Sequence, residues 1–497
     1  MFKKLLFNQQ TPYWLLAFSI MVGLTLPTLI QDGMFMDAML YTSVSHNLSK
    51  GIGTFWFPHF SVYNIAGLSS FHEQPPLVFG IQSLFFKLFG DSLYVERFYT
   101  FLTMCIGGIL INVVWKEVFR NNDNLKRIGW LPIILWITVP VCFWSYSNNM
   151  HENTMGIFTL AAVIFIVQSF RAGRYQVVKW ILAGVSVFLA TLSKGFPGFF
   201  PIIVPLIYWL TIRKITFSNA IVQSLIITLV PVIIYAILFL MPESKESLSI
   251  YLFKRALHRI NEVPTVDSRF YILYRLFTEL LPQIIFVGII IFIARIKKIN
   301  DRFSEQIRES LFFIGVGLAS SLPLMLTMVQ KGFYFVPALP FFAIGLAVLI
   351  GPIIYNLTER AHPGSIKFRI LLLMSLFLFI SAIGITLMQI GKTSRNKELL
   401  HDVYLIGAFV PPQSIVSIPR EMWNDWSLQC YLARYYSISL EGDYKKRYCI
   451  VDKSLNFGSP PGYMKINLPT WQYILFVRQD DSIRPPVGEA QDESRNE

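Results

Sequence analysis

The chain has 497 residues, 54% hydrophobic and 15% charged, with a mean hydropathy of +0.51. That balance excludes an ordinary soluble fold, and apolar runs of about 20 residues recur, the length of a bilayer-spanning helix. The net charge of +13 does not argue for nucleic acid, because Lys and Arg cluster in short loops between apolar runs with no interleaved aromatic residues.

Taken in order, the chain predicts an all-α polytopic membrane protein with about eleven spans. Met1–Gln10, with Lys3 and Lys4, reads as a cytoplasmic start. The first span, about 12–31, is long enough to cross and lacks a small-residue cleavage site, so it predicts an anchor and not a cleaved signal. A long loop follows, Asp32 to Leu77, and the rest of the chain is organised around it. It carries the acids Asp32, Asp37 and Glu73, with Phe55, Trp56, Phe57, His59 and Tyr63 between them. Long loops of this kind are usually functional. Phe35 to Tyr41 predicts a helical stretch, and Pro76–Gly90 an interfacial helix or a lead-in to the next span. Spans are then predicted at about 94–115, 129–146, 153–170, 178–193, 196–212 and 219–241. A second long loop, 242–281, precedes spans at about 282–295, 310–329, 333–354 and 370–390.

Parity tests this count. With the N-terminus inside, the short loops rich in Lys and Arg all fall on the cytoplasmic face. The extracytoplasmic loops 32–93 and 242–281, three short joints and the tail fall on the other. An undetected pair of spans would preserve the parity and raise the count to thirteen. The membrane domain covers 1–391. Residues 392–480 predict a small extracytoplasmic α/β or β-rich domain, and 481–497 a disordered tail. Cys105 and Cys142 read as packing residues. Cys430 and Cys449 either pair or stay as thiols. No internal repeat is visible, which weakens an inverted-repeat transporter reading.

Exceptions to the charge pattern mark the outer face. Lys194 and Lys331 stand at outer joints, each followed by glycine. Either snorkels to the headgroups, or holds a phosphate where the small residue admits an anion to the backbone. Asp32, Asp37, Glu73 and Glu152 share this face. Asp37 lies in apolar surroundings, which would raise its pKa toward that of a general base. Asp32 reads equally as a solvated helix end. His258, in the second loop, is a weak zinc ligand on its own and a better one if Glu73 converges with it.

Asp37-Ala38-Met39-Leu40-Tyr41, His72-Glu73-Gln74-Pro75-Pro76-Leu77, Leu192-Ser193-Lys194-Gly195 and Lys331-Gly332-Phe333-Tyr334-Phe335-Val336-Pro337 occur in that order. This resembles the bacterial lipid A aminoarabinose transferases and the related protein O-mannosyltransferases. The resemblance covers about residues 10–390. It implies a GT-C architecture in the inner (plasma) membrane, with the C-terminal domain periplasmic. It also implies an inverting glycosyltransferase that moves a sugar from a polyprenyl-phosphate donor to a glycolipid, glycan or protein. Asp37 matches the proposed catalytic carboxylate and Glu152 a second acid. Lys194 matches a lysine near the donor phosphate and Tyr334 a cavity-wall tyrosine. Asp32, Tyr41, Glu73 and Gln74 fall at the cavity. Glu73 and His258 match ligands of a bound metal, zinc. The motifs depart from the family at Ala38, Leu40 and Gln74, so Lys194, Lys331, Arg255 or Arg259 must supply the phosphate-side charge, or the donor is held differently, or the activity is lost. The rival readings are a lipid or sugar transporter or flippase, and a non-catalytic relative in envelope biogenesis. A transporter predicts alternating access and charges at the inner face; a non-catalytic relative predicts lipid binding without turnover.

Overall fold

The computed structural model describes residues 9–479, apart from 62–69, 172, 259–263, 298–302, 360–361, 364 and 456–457. Tyr63, Arg259, the first eight residues and the stretch 481–497 lie outside the described residues. The chain divides into two compact units. One is Met1–His59 with Ser70–Arg395; the other is Phe60–Ser69 with Asn396–Glu497.

The first unit is helical, and this is a multi-pass membrane protein. Among the described residues, nine helical stretches are long and apolar enough to cross a bilayer. They coincide with nine of the eleven predicted spans. The other two are broken by proline. The span expected at 129–146 folds as Trp130–Ile137 and Pro140–Tyr146. Pro140 has no N–H to continue the first helix, and Val139 before it is extended. The span expected at 196–212 opens as a 3-10 turn, Phe196–Ile203, and becomes α-helical only over Val204–Thr211. Pro197, Pro201 and Pro205 explain why regular α hydrogen bonding is delayed. The span expected to start near 282 begins upstream, as Tyr271–Ile296.

Gly332–Thr358 runs through the middle of this unit, with 83% of its apolar window buried, against 17% for Ile366–Leu387. Small residues let backbones approach: a Cβ at Gly345 would lie 3.0 Å from the Ser310 carbonyl oxygen. Buried amides then lock the outer helices. Asn149 and Gln82 exchange hydrogen bonds of 2.8 and 3.0 Å, Asn149 donates to Thr42 Oγ1 at 2.9 Å, and Thr100 donates to Asn149 at 3.1 Å. This ties together Met36–Ser49, Leu77–Phe89 and Tyr94–Val118. The first is the helical stretch expected in the first loop, and the second is a separate helix within the expected Pro76–Gly90 segment. In the second loop, Pro242–Ser249 passes directly into a π-helix, Ile250–Ala256.

The second unit is α/β. Five strands order as β2-β1-β3-β5-β4, where β1 is Ile415–Ser417, β2 Ser439–Glu441, β3 Tyr448–Asp452, β4 Tyr463–Lys465 and β5 Tyr473–Arg478. β1 runs parallel to β2 and β3, while β5 is antiparallel to both of its neighbours. Asp402, fully buried on helix Lys397–Phe409, accepts from the backbone N–H groups of Trp471, Gln472 and Tyr473 at 2.6–2.8 Å. Cys430 and Cys449 are both buried and are not bridged to each other in this structure. Burial pushes the Cys449 thiol up to about 12.

Candidate active site

The joint Lys194-Gly195, the second loop and the first loop meet around one cavity of about 580 Å³. Its polar lining includes Glu73, Gln74, Glu152, Lys194, Arg255 and Tyr334. The same cavity is also lined by the apolar residues Phe196, Phe199, Phe200 and Ile203. The prolines that delay the helix here keep this segment as a compact turn beside Lys194.

Lys194 is the last residue of helix Gln176–Lys194, and Glu152 stands in the first turn of His151–Ser169. Their side chains pair at 3.2 Å and are only 6% and 1% exposed. Neither Glu152 oxygen accepts a hydrogen bond from the described residues. A buried carboxylate with unused acceptor sites is costly unless a ligand or water fills them. The ammonium of Lys194 also lies 5.0 Å from the centre of the Tyr41 ring. Gln74 donates to the Tyr41 hydroxyl at 3.1 Å, and the His151 ring packs 4.5 Å from the same phenol. Burial first, and then the nearby carboxylates of Asp37, Glu73 and Glu152, hold the Tyr41 phenol well above its usual range. Three acids and a lysine thus gather about one tyrosine.

At the rim, Arg255 donates to Glu73 at 2.9 Å, with both side chains about a third exposed. The second loop also reaches His72, whose Nδ1 lies 3.4 Å from Ser247 Oγ, while its Nε2 lies 2.6 Å from Ser70 Oγ. Burial, helped by the charge of Lys254, depresses the His72 imidazole to about 4. The zinc expectation for Glu73 and His258 does not fit these donors. The Glu73 carboxylate is engaged by a cation, His258 is exposed, and no group of three His, Cys, Asp or Glu suited to a metal occurs among the described residues.

Other predicted residues do not line the cavity. Asp37 is half-buried and, like Tyr41, Asp32 and Lys331, is not among the residues lining the cavity. Asp32 is structural: its backbone pairs with Lys392 and Ser394, its carboxylate caps the Gly33 N–H at 2.7 Å, and Arg97 stands 3.7 Å away. Lys331 is exposed. Its neighbour Gln330 is buried and pins the joint, bonding the backbone at Arg269, Ile272 and Thr327. Sequence reasoning missed Gln330 and also Tyr251, which lines the cavity from the π-helix. The space left by Gly195 does not admit an anion to the backbone, because the Tyr251 hydroxyl occupies it; a Cβ there would lie 1.8 Å from that oxygen.

Residues 73–241, which include Glu73, Glu152 and Lys194, match the profile of the family described as dolichyl-phosphate-mannose-protein mannosyltransferase. The chain is 20% identical over 155 residues to the undecaprenyl phosphate-alpha-4-amino-4-deoxy-L-arabinose arabinosyl transferase of Wigglesworthia glossinidia brevipalpis, covering 31% of this chain and 27% of that one. It is 24% identical over 199 residues to such a transferase of Pseudomonas fluorescens, covering 40% and 34%. The matches therefore span about a third or less of these relatives' length. The fold is similar to that of ArnT from Cupriavidus metallidurans bound to undecaprenyl phosphate, with a TM-score of 0.60 at 14% identity, covering 93% of this chain and 96% of that one. The chain thus resembles the GT-C glycosyltransferases, as the order of its motifs implied.

Proposed function

We propose that this chain is an inverting glycosyltransferase that takes a sugar from a polyprenyl-phosphate donor and passes it to an extracytoplasmic acceptor. One observation carries the reading. A buried Lys194–Glu152 pair with unused carboxylate acceptors lines a cavity that phenylalanine and isoleucine side chains also line. Charge and hydrogen-bonding capacity together with apolar lining suit a phosphorylated lipid headgroup and the start of its chain. The relative solved with undecaprenyl phosphate supports that choice.

The chemistry asks for positioning and charge. The acceptor oxygen attacks the anomeric carbon, its proton passes to a carboxylate, and the bond from the anomeric carbon to the phosphate oxygen breaks with its electron pair leaving on the phosphate. One displacement inverts the centre. Lys194 and Arg255 neutralise the leaving phosphate, and Glu152 holds Lys194 and a sugar hydroxyl. Asp37, one helical turn before Tyr41, takes the proton. Proteoliposomes supplied with mass-tagged polyprenyl-phosphate sugars and envelope extract test this. Wild type is expected to produce tagged acceptor with inverted configuration. Asp37→Asn is expected to lower kcat by about a thousandfold with donor affinity kept. Full transfer by that variant removes Asp37 from the role, and no transfer from any polyprenyl-phosphate sugar overturns the reading.

A further inference from the structure

Tyr251 carries a role that the motifs do not. It sits on the π-helix Ile250–Ala256, whose wider turn places Tyr251 and Arg255 on one face, and both line the cavity. Arg255 reaches Glu73, while Tyr251 reaches back to the Lys194-Gly195 joint. Gly195 ends the lysine's helix with φ +81°, a conformation that L side chains rarely adopt, and its N–H bonds to the Thr191 carbonyl at 2.7 Å. The tyrosine hydroxyl fills the place where a side chain at 195 would stand. It therefore lies against Gly195, next in the chain to Lys194, and Tyr251 and Lys194 both line the cavity.

We propose that Tyr251 is the residue that positions the donor's phosphate, its hydroxyl donating to a phosphoryl oxygen whose charge Lys194 balances. The inference rests on the donor class proposed above. A phenol suits this task because it supplies a directed hydrogen bond without adding a charge, in a cavity where Glu73 and Glu152 already hold the cations. Gly195 then serves to make room for the hydroxyl, and the π-helix sets its reach.

The test uses the full-length protein in nanodiscs and two probes, polyprenyl phosphate and the matching uncharged polyprenol. Tyr251→Phe is expected to weaken binding of the phosphate by about tenfold and to leave polyprenol within about twofold. The thermal midpoint should stay within about 2 °C of wild type, since only one oxygen is removed. In turnover the loss is expected in the donor KM and not in kcat. Equal binding of polyprenyl phosphate by wild type and Tyr251→Phe would overturn the proposal, as would equal losses for both lipids. A wild type that binds neither probe instead defeats the donor assignment itself, and this inference with it.

Discussion

Lys194 and Glu152 show how burial sets the worth of a charge. At 6% and 1% exposure each is held by the other, and removing one partner leaves an ion stranded in a low-dielectric site, at a cost of about 3–5 kcal/mol. Glu152→Gln alone is therefore expected to lower the thermal midpoint sharply, whereas Lys194→Met with Glu152→Gln recovers most of the stability and none of the activity. A double variant less stable than the single one would contradict this account. The Arg255–Glu73 pair, about a third exposed on each side, is expected to contribute only about 0.2–1 kcal/mol. Lys194 was legible because a lysine at an outer joint departs from the positive-inside pattern, and Glu152 because it is an acid on that same face. The place of Lys331 was not, since only the backbone bonds of Gln330 decide which way that joint is held. Tyr251 was invisible for a similar reason: no pattern in the chain specifies a π-helical register.

Among the elements, proline decides where expectation and structure part. Apolar length alone predicts continuous spans at 129–146 and 196–212, but Pro140 and the Pro197, Pro201, Pro205 series interrupt both. The second interruption lines the cavity, so the departure from regularity lies at the site. The meeting of the two long loops has a pH signature. In the fold His72 titrates near 4, below its ordinary 6.5. Between those values the unfolded chain binds more protons, so stability rises with pH. The contribution is complete above about 6.5 and is lost as pH falls through about 4. Thermal midpoints measured from pH 7.5 down to 4.5 should fall, and His72→Gln should flatten that slope. An unchanged slope in the variant would place the titration elsewhere.

For the whole molecule, hydropathy made the membrane class and the positions of nine spans legible, because a bilayer constrains helix length more strongly than a soluble core does. The mixed sheet of the second unit was legible only as α/β or β-rich. Its parallel β1–β3 pairing and Asp402 anchor depend on contacts distant in sequence. The account's central claim is that a polyprenyl phosphate occupies the cavity beside Lys194. The most direct measurement is photo-crosslinking of the purified protein with a diazirine-bearing polyprenyl phosphate, followed by mass mapping of the adducts. The predicted result is labelling of Phe196–Ile203 that unlabelled polyprenyl phosphate displaces. Labelling confined to outward-facing spans such as Ile366–Leu387, undiminished by competitor, would contradict it.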